Sequence, residues 1–436
     1  MLDALRWIGY LLIALIVFVV SVFAAYRLRG PSPAQRDAIE LLQKDYRPAQ
    51  GSNAFPLLWF MSYDVPEGEL DARMTSDVAA VSDGLVAGKV MATYTPAAAR
   101  LSEAAGDPSR LCDSGAANCL AKVTADPQAM RSTLATYPVM RAREKSFEKT
   151  DFYWNDFPAD FRAALAAHPG DAQRVWLSAF ALEYVEGNRG AALADVCRNI
   201  GTWRRLRHGT NSLIGAMIAI RNADGAVRLL AEMLAASPAD QEIPEDCDIA
   251  LRPIEAADVD RCGEMAGEFA FAQSTLTFSA QANASWWERA QAWMTFDSRQ
   301  SNGWRAEQYA NYCGEAATVR MLADVPLSAD TLPQITHRAE CVASAVGCML
   351  ADIASPLYVD YDARTLDFAA HLRLAATLLW LREAPTQEPL AQRFEQRPAA
   401  LRSGQRRSGI DPAASMLFVD NLYRPSEPFE LPVASP

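Results

Sequence analysis

The sequence predicts an all-α protein in which one N-terminal transmembrane helix precedes an irregular, solenoid-like body of helical hairpins. Three observations support this fold class. The stretch from Trp7 to Tyr26 contains no charged residue and is long enough to cross a bilayer. Apolar residues recur three and four positions apart through most of the remaining chain, which is typical of amphipathic helices. After Asp411, alternating apolar residues and prolines predict a small extended or β-hairpin segment.

These patterns divide the chain into five predicted regions. They are a transmembrane anchor (1–30), a juxtamembrane helix and linker (31–54), an N-terminal helical subdomain with a cysteine loop (55–150), a helical-hairpin body (151–410) and an extended or β tail (411–436).

The anchor is predicted from length and from its flanking aromatic residues. At about 1.5 Å per residue, positions 7–26 span roughly the 30 Å of a hydrocarbon core. Trp7 and Tyr26 stand where an aromatic belt is expected. A cleaved signal peptide is the alternative, since Val22 and Ala24 loosely fit a cleavage site. The apolar run exceeds a usual signal core of about 7–15 residues, so we favour an anchor.

Cysteine usage predicts disulfides in an oxidising compartment. No C-x-x-C pair or other metal-ligand spacing occurs among the cysteines. Local spacing suggests the segments 112–119, 247–262 and 341–348 as pairs, and a turn favours the first of these. The last requires a chain break near Gly347, because an unbroken helix would separate its ends by about 10.5 Å. The candidates are Cys112, Cys119, Cys197, Cys247, Cys262, Cys313, Cys341 and Cys348.

The orientation of the body is in conflict. Arg27, Arg29 and Arg36 follow the anchor while only Arg6 precedes it, which by the positive-inside rule favours a cytoplasmic body. The cysteines favour the opposite side, and long domains often translocate regardless of flanking charge. We favour an extracytoplasmic body. A cytoplasmic body with free thiols is the alternative.

Composition restricts the function classes. The net charge of −12 argues against a nucleic-acid partner, because such proteins neutralise phosphates with a basic face. Lysine is absent after Lys149 and alanine is abundant, a bias typical of GC-rich bacterial genomes. Together with the anchor and the cysteines, this predicts a single-pass protein of the bacterial inner membrane whose body lies in the periplasm.

The helix predictions in the N-terminal half follow from apolar spacing and from turn residues. Helices are expected over 33–46, 71–104 and 127–149, and Phe55 to Tyr63 is expected to be buried.

Helical hairpins are predicted from Phe157 onward, with turns at 168–171, 186–190 and 222–225. This alternation resembles that of tetratricopeptide and other helical-repeat proteins, although no fixed period is present. Further helices are predicted over 256–280, 288–296, 304–322 and 361–382.

Two clusters are candidate binding sites. Four of the ten tryptophans lie between Ser285 and Trp304, and Trp286 and Trp293 are seven apart, so they can share one helical face. If these tryptophans are exposed, they would form a protein-binding or sugar-stacking surface; the structural alternative is that they pack in the core. The full set is Trp286, Trp287, Trp293 and Trp304.

The second cluster is the basic stretch WRRLRH at 203–208. Its guanidinium groups could bind phosphate, carboxylate or an anionic headgroup in bidentate fashion, whereas a solvated charged face is the structural alternative. The candidate residues are Arg204, Arg205 and Arg207.

Catalytic signals are weak. The sequence holds no nucleophile elbow, zinc-protease motif or dinucleotide fingerprint, so we expect neither metal nor cofactor. Glu264 and Glu268 are one helical turn apart, and His337 lies three residues before Glu340; either pair could act in acid–base chemistry.

The leading functional hypothesis is therefore a membrane-anchored interaction protein that binds a protein partner in the envelope, either as a scaffold or as an immunity-type inhibitor. The alternative is an envelope hydrolase that acts on glycan or lipid through paired carboxylates.

Overall fold

The computed structural model confirms the predicted fold class, with 64% of the chain in helices and 5% in strands. It describes residues 2–102, 108–113, 115, 118–279, 285–328, 332, 335, 338–383, 388–404 and 406–433.

Helix α1, Leu2–Arg29, is long and apolar enough to cross a membrane. Its most apolar 18-residue window has a mean hydropathy of 2.8, and none of that window is buried inside the protein. A helix that is apolar all round, with the apolar window exposed, is typical of a membrane span. The coarse prediction of a membrane-spanning segment is therefore supported.

Six α-helices follow α1 along the described part of the chain that contains the predicted linker and the cysteine loop. They are α2 (Pro33–Leu42), α3 (Ala54–Trp59), α4 (Leu70–Val86), α5 (Cys119–Ala125), α6 (Pro127–Leu134) and α7 (Pro138–Glu148). The apolar segment from Phe55 to Tyr63 is largely buried, as predicted. Arg143 holds it in place by donating hydrogen bonds to the carbonyls of Phe60, Met61, Tyr63 and Val65 at 2.7–3.0 Å.

The central layer consists of α8 (Ala172–Val185), α9 (Arg189–His208), α10 (Leu213–Ala236), α11 (Glu245–Ala250) and α12 (Ala256–Val259). Helices α9 and α10 form an extensive hairpin contact, and α8 packs against both. The ring centroid of Phe147 lies 4.8 Å from that of Trp176 and 4.6 Å from that of Trp203. This aromatic cluster lies in the largest hydrophobic core.

The remaining helices form the second half of the body. They are α13 (Cys262–Ser279), α14 (Trp286–Thr295), α15 (Ser298–Ala310), α16 (Glu315–Leu322), α17 (Ala345–Glu383) and α18 (Leu390–Glu395). Gly267 lets α13 approach the α9–α10 connection closely, because a Cβ atom there would lie 1.9 Å from the carbonyl oxygen of Asn211. Helix α2 packs on α15, so the juxtamembrane segment belongs to this half.

A small antiparallel sheet lies near the C-terminus, in the order β1 (Ser408–Asp411), β2 (Met416–Val419) and β3 (Phe429–Pro432). Leu417 pairs with both Ile410 and Leu431 in register. The inward side chains of β2 and β3 are buried against α10 and α17. The predicted small β segment is therefore present, although it begins before Asp411 and has three strands.

Four disulfides join the eight cysteines: Cys112–Cys119, Cys197–Cys247, Cys262–Cys313 and Cys341–Cys348. The two pairs predicted at a spacing of seven residues, 112–119 and 341–348, are both disulfides. The suggested pairing within 247–262 is wrong, because the two cysteines lie on different helices and each bonds a cysteine about fifty positions away. The chain break that allows Cys341 to reach Cys348 is at Ser344, not at Gly347, since a short 3-10 helix ends there before α17 begins.

Several helix predictions were wrong in detail. The helix expected over 304–322 is broken between Ala310 and Glu315, and the one expected over 256–280 is broken between Val259 and Cys262. The NADG segment at 222–225 is not a turn, since α10 continues through it; the side-chain amide of Asn222 donates to the carbonyl of Ile218 at 2.9 Å, and packing on α9 covers the segment. The helix expected over 71–104 ends at Val86. The first expected hairpin run, after Phe157, contains only a 3-10 turn at Phe161–Ala163, capped by Asp160.

Candidate functional site

A cleft of about 500 Å³ lies between α10, α17 and the loop that joins β2 to β3. Residues spaced three and four apart on α10 form one wall, and similarly spaced residues on α17 form the other. Four arginines line it, and we call it the arginine cleft: they are Arg221, Arg228, Arg364 and Arg424. Two aspartates, Asp224 and Asp367, also line the cleft, so cations outnumber anions there in a chain whose net charge is −12.

Two of these arginines are held against aromatic rings. The Arg364 guanidinium carbon lies 3.8 Å from the ring centroid of Tyr423, and that of Arg228 lies 4.2 Å from the centroid of Phe429. Arg364 makes no ion pair with a described carboxylate, and its buried Nε has no hydrogen-bond partner among the described residues. Burial lowers the pKa of Arg228. Stacking fixes the plane of a guanidinium and leaves its N–H edge available to an anion.

The two remaining arginines are on the rim. Arg221 is exposed and lies 3.7 Å from Asp113 in the cysteine loop, and Arg424 forms an exposed pair with Glu427 at 3.2 Å. Exposed pairs of this kind contribute little and exchange readily with another anion.

The cleft aspartates are already engaged within the protein. Asp367 accepts hydrogen bonds from the backbone N–H groups of Leu422 and Tyr423 at 2.7 and 3.0 Å, and from Arg406 at 2.5 Å. Asp224 pairs with His371 at 2.9 Å. Both carboxylates therefore have hydrogen-bond partners other than the cleft arginines.

The floor of the cleft is apolar. Ile214, Met217, Ile218 and Ile220 of α10 lie beside the arginines, and Ile214 is 57% exposed. Arginine and tyrosine beside apolar side chains are enriched in protein-binding surfaces. Such a cleft can hold a carboxylate or phosphate and an adjacent apolar group together.

The structure corrects the interpretation of the basic stretch as an anion site for two of its residues. Arg204 pairs with Asp258 at 2.6 Å, and Arg207, which is fully buried, pairs with Glu264 at 3.0 Å. Burial is the largest single influence on the pKa of Asp258 and would raise it, but the hydrogen bonds and charge of Arg204, together with the Glu255 backbone N–H and the charge of Arg252, outweigh burial and lower that pKa. Of the three arginines, only Arg205 is exposed. It donates hydrogen bonds to the carbonyls of Glu148 and Thr150 and to the hydroxyl of Thr202. Arg204 and Arg207 are therefore core ion pairs.

The tryptophan cluster is divided. Trp304 is 1% exposed and packs with Ile335 and Cys348, so it is a core residue and not part of a binding surface. Trp286, Trp287 and Trp293 are all exposed on α14, as a binding surface requires.

No family model, curated protein sequence or solved structure matches this chain.

The carboxylates proposed for hydrolysis are engaged in structural contacts. Glu264 is buried between Arg207 and Arg261. Burial raises the pKa of Glu268 to about 7, and the hydroxyl of Tyr358 donates to it at 3.5 Å. His337 lies outside the described residues, so the structure does not address its pairing with Glu340.

A second acidic cluster was not identified from the sequence. The carboxylates of Glu144, Glu148 and Asp195 lie within 4.8 Å of one another. Lys145 contacts all three at 3.2–3.4 Å and Arg198 binds Glu148 and Asp195, so two cations of the protein itself already occupy the cluster. Burial raises the pKa of Glu144 to about 7.

The arginine cleft also has no sequence motif. Its residues come from the cysteine loop, α10, α17 and the C-terminal loop, which are separated by up to about three hundred positions. The spacing of Arg221, Asp224 and Arg228 places them on one face of α10, but the turn predicted at 222–225 concealed this signal in the sequence.

Proposed function

We propose that this protein is a membrane-anchored binding protein of the bacterial periplasm that holds an acidic segment of a protein partner in the arginine cleft. The observation that supports it best is Arg364, a stacked guanidinium that opens into an apolar cleft without a carboxylate partner among the described residues. A carboxylate or phosphate can form charge-assisted, bidentate hydrogen bonds with such a group. A scaffold and an immunity-type inhibitor would both bind their partner through this contact.

The location is supported by two features of the chain. Helix α1 is suited to a bilayer, and all eight cysteines are paired, which is typical of proteins in oxidising compartments. The bacterial periplasm satisfies both and agrees with the arginine-rich, lysine-poor composition.

Photocrosslinking in intact cells tests the proposal. A benzophenone amino acid replaces Ile214, which is 57% exposed at the cleft, in the full-length chain. The matched control is Ile249, which is 60% exposed on α11. We expect a discrete protein adduct from position 214 that is absent from position 249 and is lost when Arg364→Glu is added. The same adduct from both positions, or one that survives Arg364→Glu, would contradict the proposal.

A further inference from the structure

We propose that α14 and the start of α17 form a lipid-binding surface that rests in the bilayer interface around the end of α1. This inference rests on the part of the proposed function that makes α1 a membrane span, and it is independent of the arginine cleft. We call the surface the bilayer-facing platform. Its residues are Trp286, Trp287, Trp293, Met294, Val342, Val346, Met349 and Ile353, all of which are exposed.

Helix α14 lacks the burial that stabilises a soluble helix. It is ten residues long and has no buried residue. Isolated helices of that length are marginal in water, and most derive their stability from burying an apolar face. The N-terminus is well formed, since Ser285 and Glu288 make a capping box. The capping box therefore favours formation of this helix, yet α14 buries no side chain in the core of the protein.

The side chains of α14 are strongly segregated. At 100° per residue, Trp286, Trp287, Ala290, Trp293 and Met294 fall within an arc of about 120°. The opposite side carries polar residues, among them Glu288, Gln291 and Thr295. A short helix with a tryptophan-rich face and a charged face is typical of helices that lie in a membrane interface.

Contacts with α1 place this helix at the membrane boundary. The ring of Phe23 packs edge-on against that of Trp293, with centroids 5.7 Å apart. Phe23 is three residues, or about 4.5 Å along the axis, before the end of the apolar segment at Tyr26. Trp293 therefore lies at the depth where tryptophan is enriched in membrane proteins.

The end of α1 is fixed to the body by polar contacts. Arg27 pairs with Asp297 at 3.6 Å, lies 5.0 Å from the ring centroid of Trp293, and donates to the carbonyl of Ala343 at 2.9 Å. Gln300 donates to the carbonyl of Tyr26 at 2.5 Å. These contacts hold the body directly against the end of α1, so no free linker separates the two.

The start of α17 continues the same surface. Val346, Met349 and Ile353 are exposed at helical spacing, while Cys348 and Ala351 face the interior. From Cys341 to Ala351 the chain carries no charge. Helix α14 packs against this segment, and so does the end of α1 through the 3-10 helix Ala339–Ala343.

The continuity with α1 identifies a bilayer, and not a soluble protein, as the partner of this surface. Exposed apolar patches of this kind mark membrane or protein contacts. Here Arg29, Arg289 and Arg299 are exposed at the polar margin, where lipid phosphate groups would lie. The platform would hold the body at a fixed tilt against the membrane and so fix the orientation of the arginine cleft.

Spin labelling of the full-length chain in lipid nanodiscs tests the platform. All native cysteines are paired, so a nitroxide can be attached to a single introduced cysteine. The variants are Trp287→Cys and Ile353→Cys on the platform, Ile16→Cys in α1 and Ile249→Cys as an exposed apolar control on α11. Each replaced side chain is exposed, so no buried contact is lost. The readout is the collision rate of the label with lipid-soluble oxygen and with a water-soluble nickel chelate.

We expect the ratio of oxygen to nickel collisions at positions 16, 287 and 353 to be several-fold higher than at position 249. A membrane-like ratio at 16 with water-like ratios at 287 and 353 would overturn the platform and leave the anchor standing. A water-like ratio at 16 would overturn both. Labels at 287 and 353 that are shielded from both reagents would indicate cover by protein, such as a second copy of the chain, and would also overturn the proposal.

Discussion

Nδ1 of His371 lies 2.9 Å from Oδ1 of Asp224, and this contact joins α17 to α10 at the arginine cleft. The other ring nitrogen lies 2.8 Å from Oδ1 of Asn421, and the ring stacks on Phe429 with centroids 3.7 Å apart. One side chain therefore ties the C-terminal segment to both walls of the cleft.

Replacement of His371 should release this segment without unfolding the body. Two hydrogen bonds and a ring stack are each worth about 1 kcal/mol, so His371→Ala should lose about 3 kcal/mol of local stability. His371→Phe keeps the stack and should lose less. Limited proteolysis between β2 and β3 provides the measurement, with faster cleavage expected in the order alanine, phenylalanine, wild type. Equal cleavage in all three would show that His371 does not hold the segment.

The three arginines of the basic stretch should differ sharply in their effect on stability. Arg204→Met and Arg207→Met each leave a buried carboxylate without its main partner, which typically costs about 3–5 kcal/mol. Arg205→Met alters an exposed side chain of the same helix and should cost about 1 kcal/mol or less. Urea unfolding followed by circular dichroism measures the difference. If all three variants lost the same stability, the assignment of Arg204 and Arg207 to the core would be wrong.

Stability should fall as the pH rises from about 4.5 to 7, partly because of Glu268. Burial raises the pKa of this carboxyl from 4.5 to about 7, so the folded state binds more protons than the unfolded state in that window. Glu268→Gln removes the effect and should be more stable than wild type above pH 7, by about 3 kcal/mol at most, since one pKa unit is worth about 1.4 kcal/mol.

Thermal unfolding between pH 4.5 and 8 measures the effect of Glu268→Gln. The control is Glu40→Gln, which removes an exposed carboxyl and should leave the shape of the profile unchanged. A Glu268→Gln profile parallel to that of wild type would contradict the prediction.

Disulfide mapping should find the four pairs of the structure in protein taken from its own membrane. Without reduction, no cysteine should be alkylated even after denaturation. In the chain-entropy description, loss of Cys197–Cys247, with a separation of 50, should cost about 4 kcal/mol, against about 2 kcal/mol for Cys112–Cys119, with a separation of 7. Full alkylation before reduction would place the body in the cytoplasm instead.

Local patterns predicted the helices well because apolar spacing reports directly on a buried face. They failed at Asn222 to Gly225, where residues that favour turns lie within a helix that packing on α9 keeps continuous. They also could not give the partners of Cys197 and Cys313, since those bonds join helices brought together only by the tertiary fold.

The candidate sites show the same limit. A run such as WRRLRH does not reveal that Arg207 faces Glu264 across the core, because that depends on where α13 packs. Arg364 and Tyr423 are 59 positions apart, so no local pattern could show that they stack. The exposure of Trp293 and the burial of Trp304 likewise depend on tertiary packing.

The most direct test of the central claim is a fluorescence titration of the full-length protein, in nanodiscs of neutral lipid, with a labelled hexaglutamate peptide. We predict saturable binding that a hexalysine peptide does not show. Binding should weaken at least about tenfold in Arg364→Glu, since a charge-assisted contact is worth about 1.5–3 kcal/mol. It should be unchanged in Arg141→Glu, which makes the same charge change at an exposed site on α7. No binding by wild type, or equal loss in both variants, would contradict the assignment of the arginine cleft as the binding site.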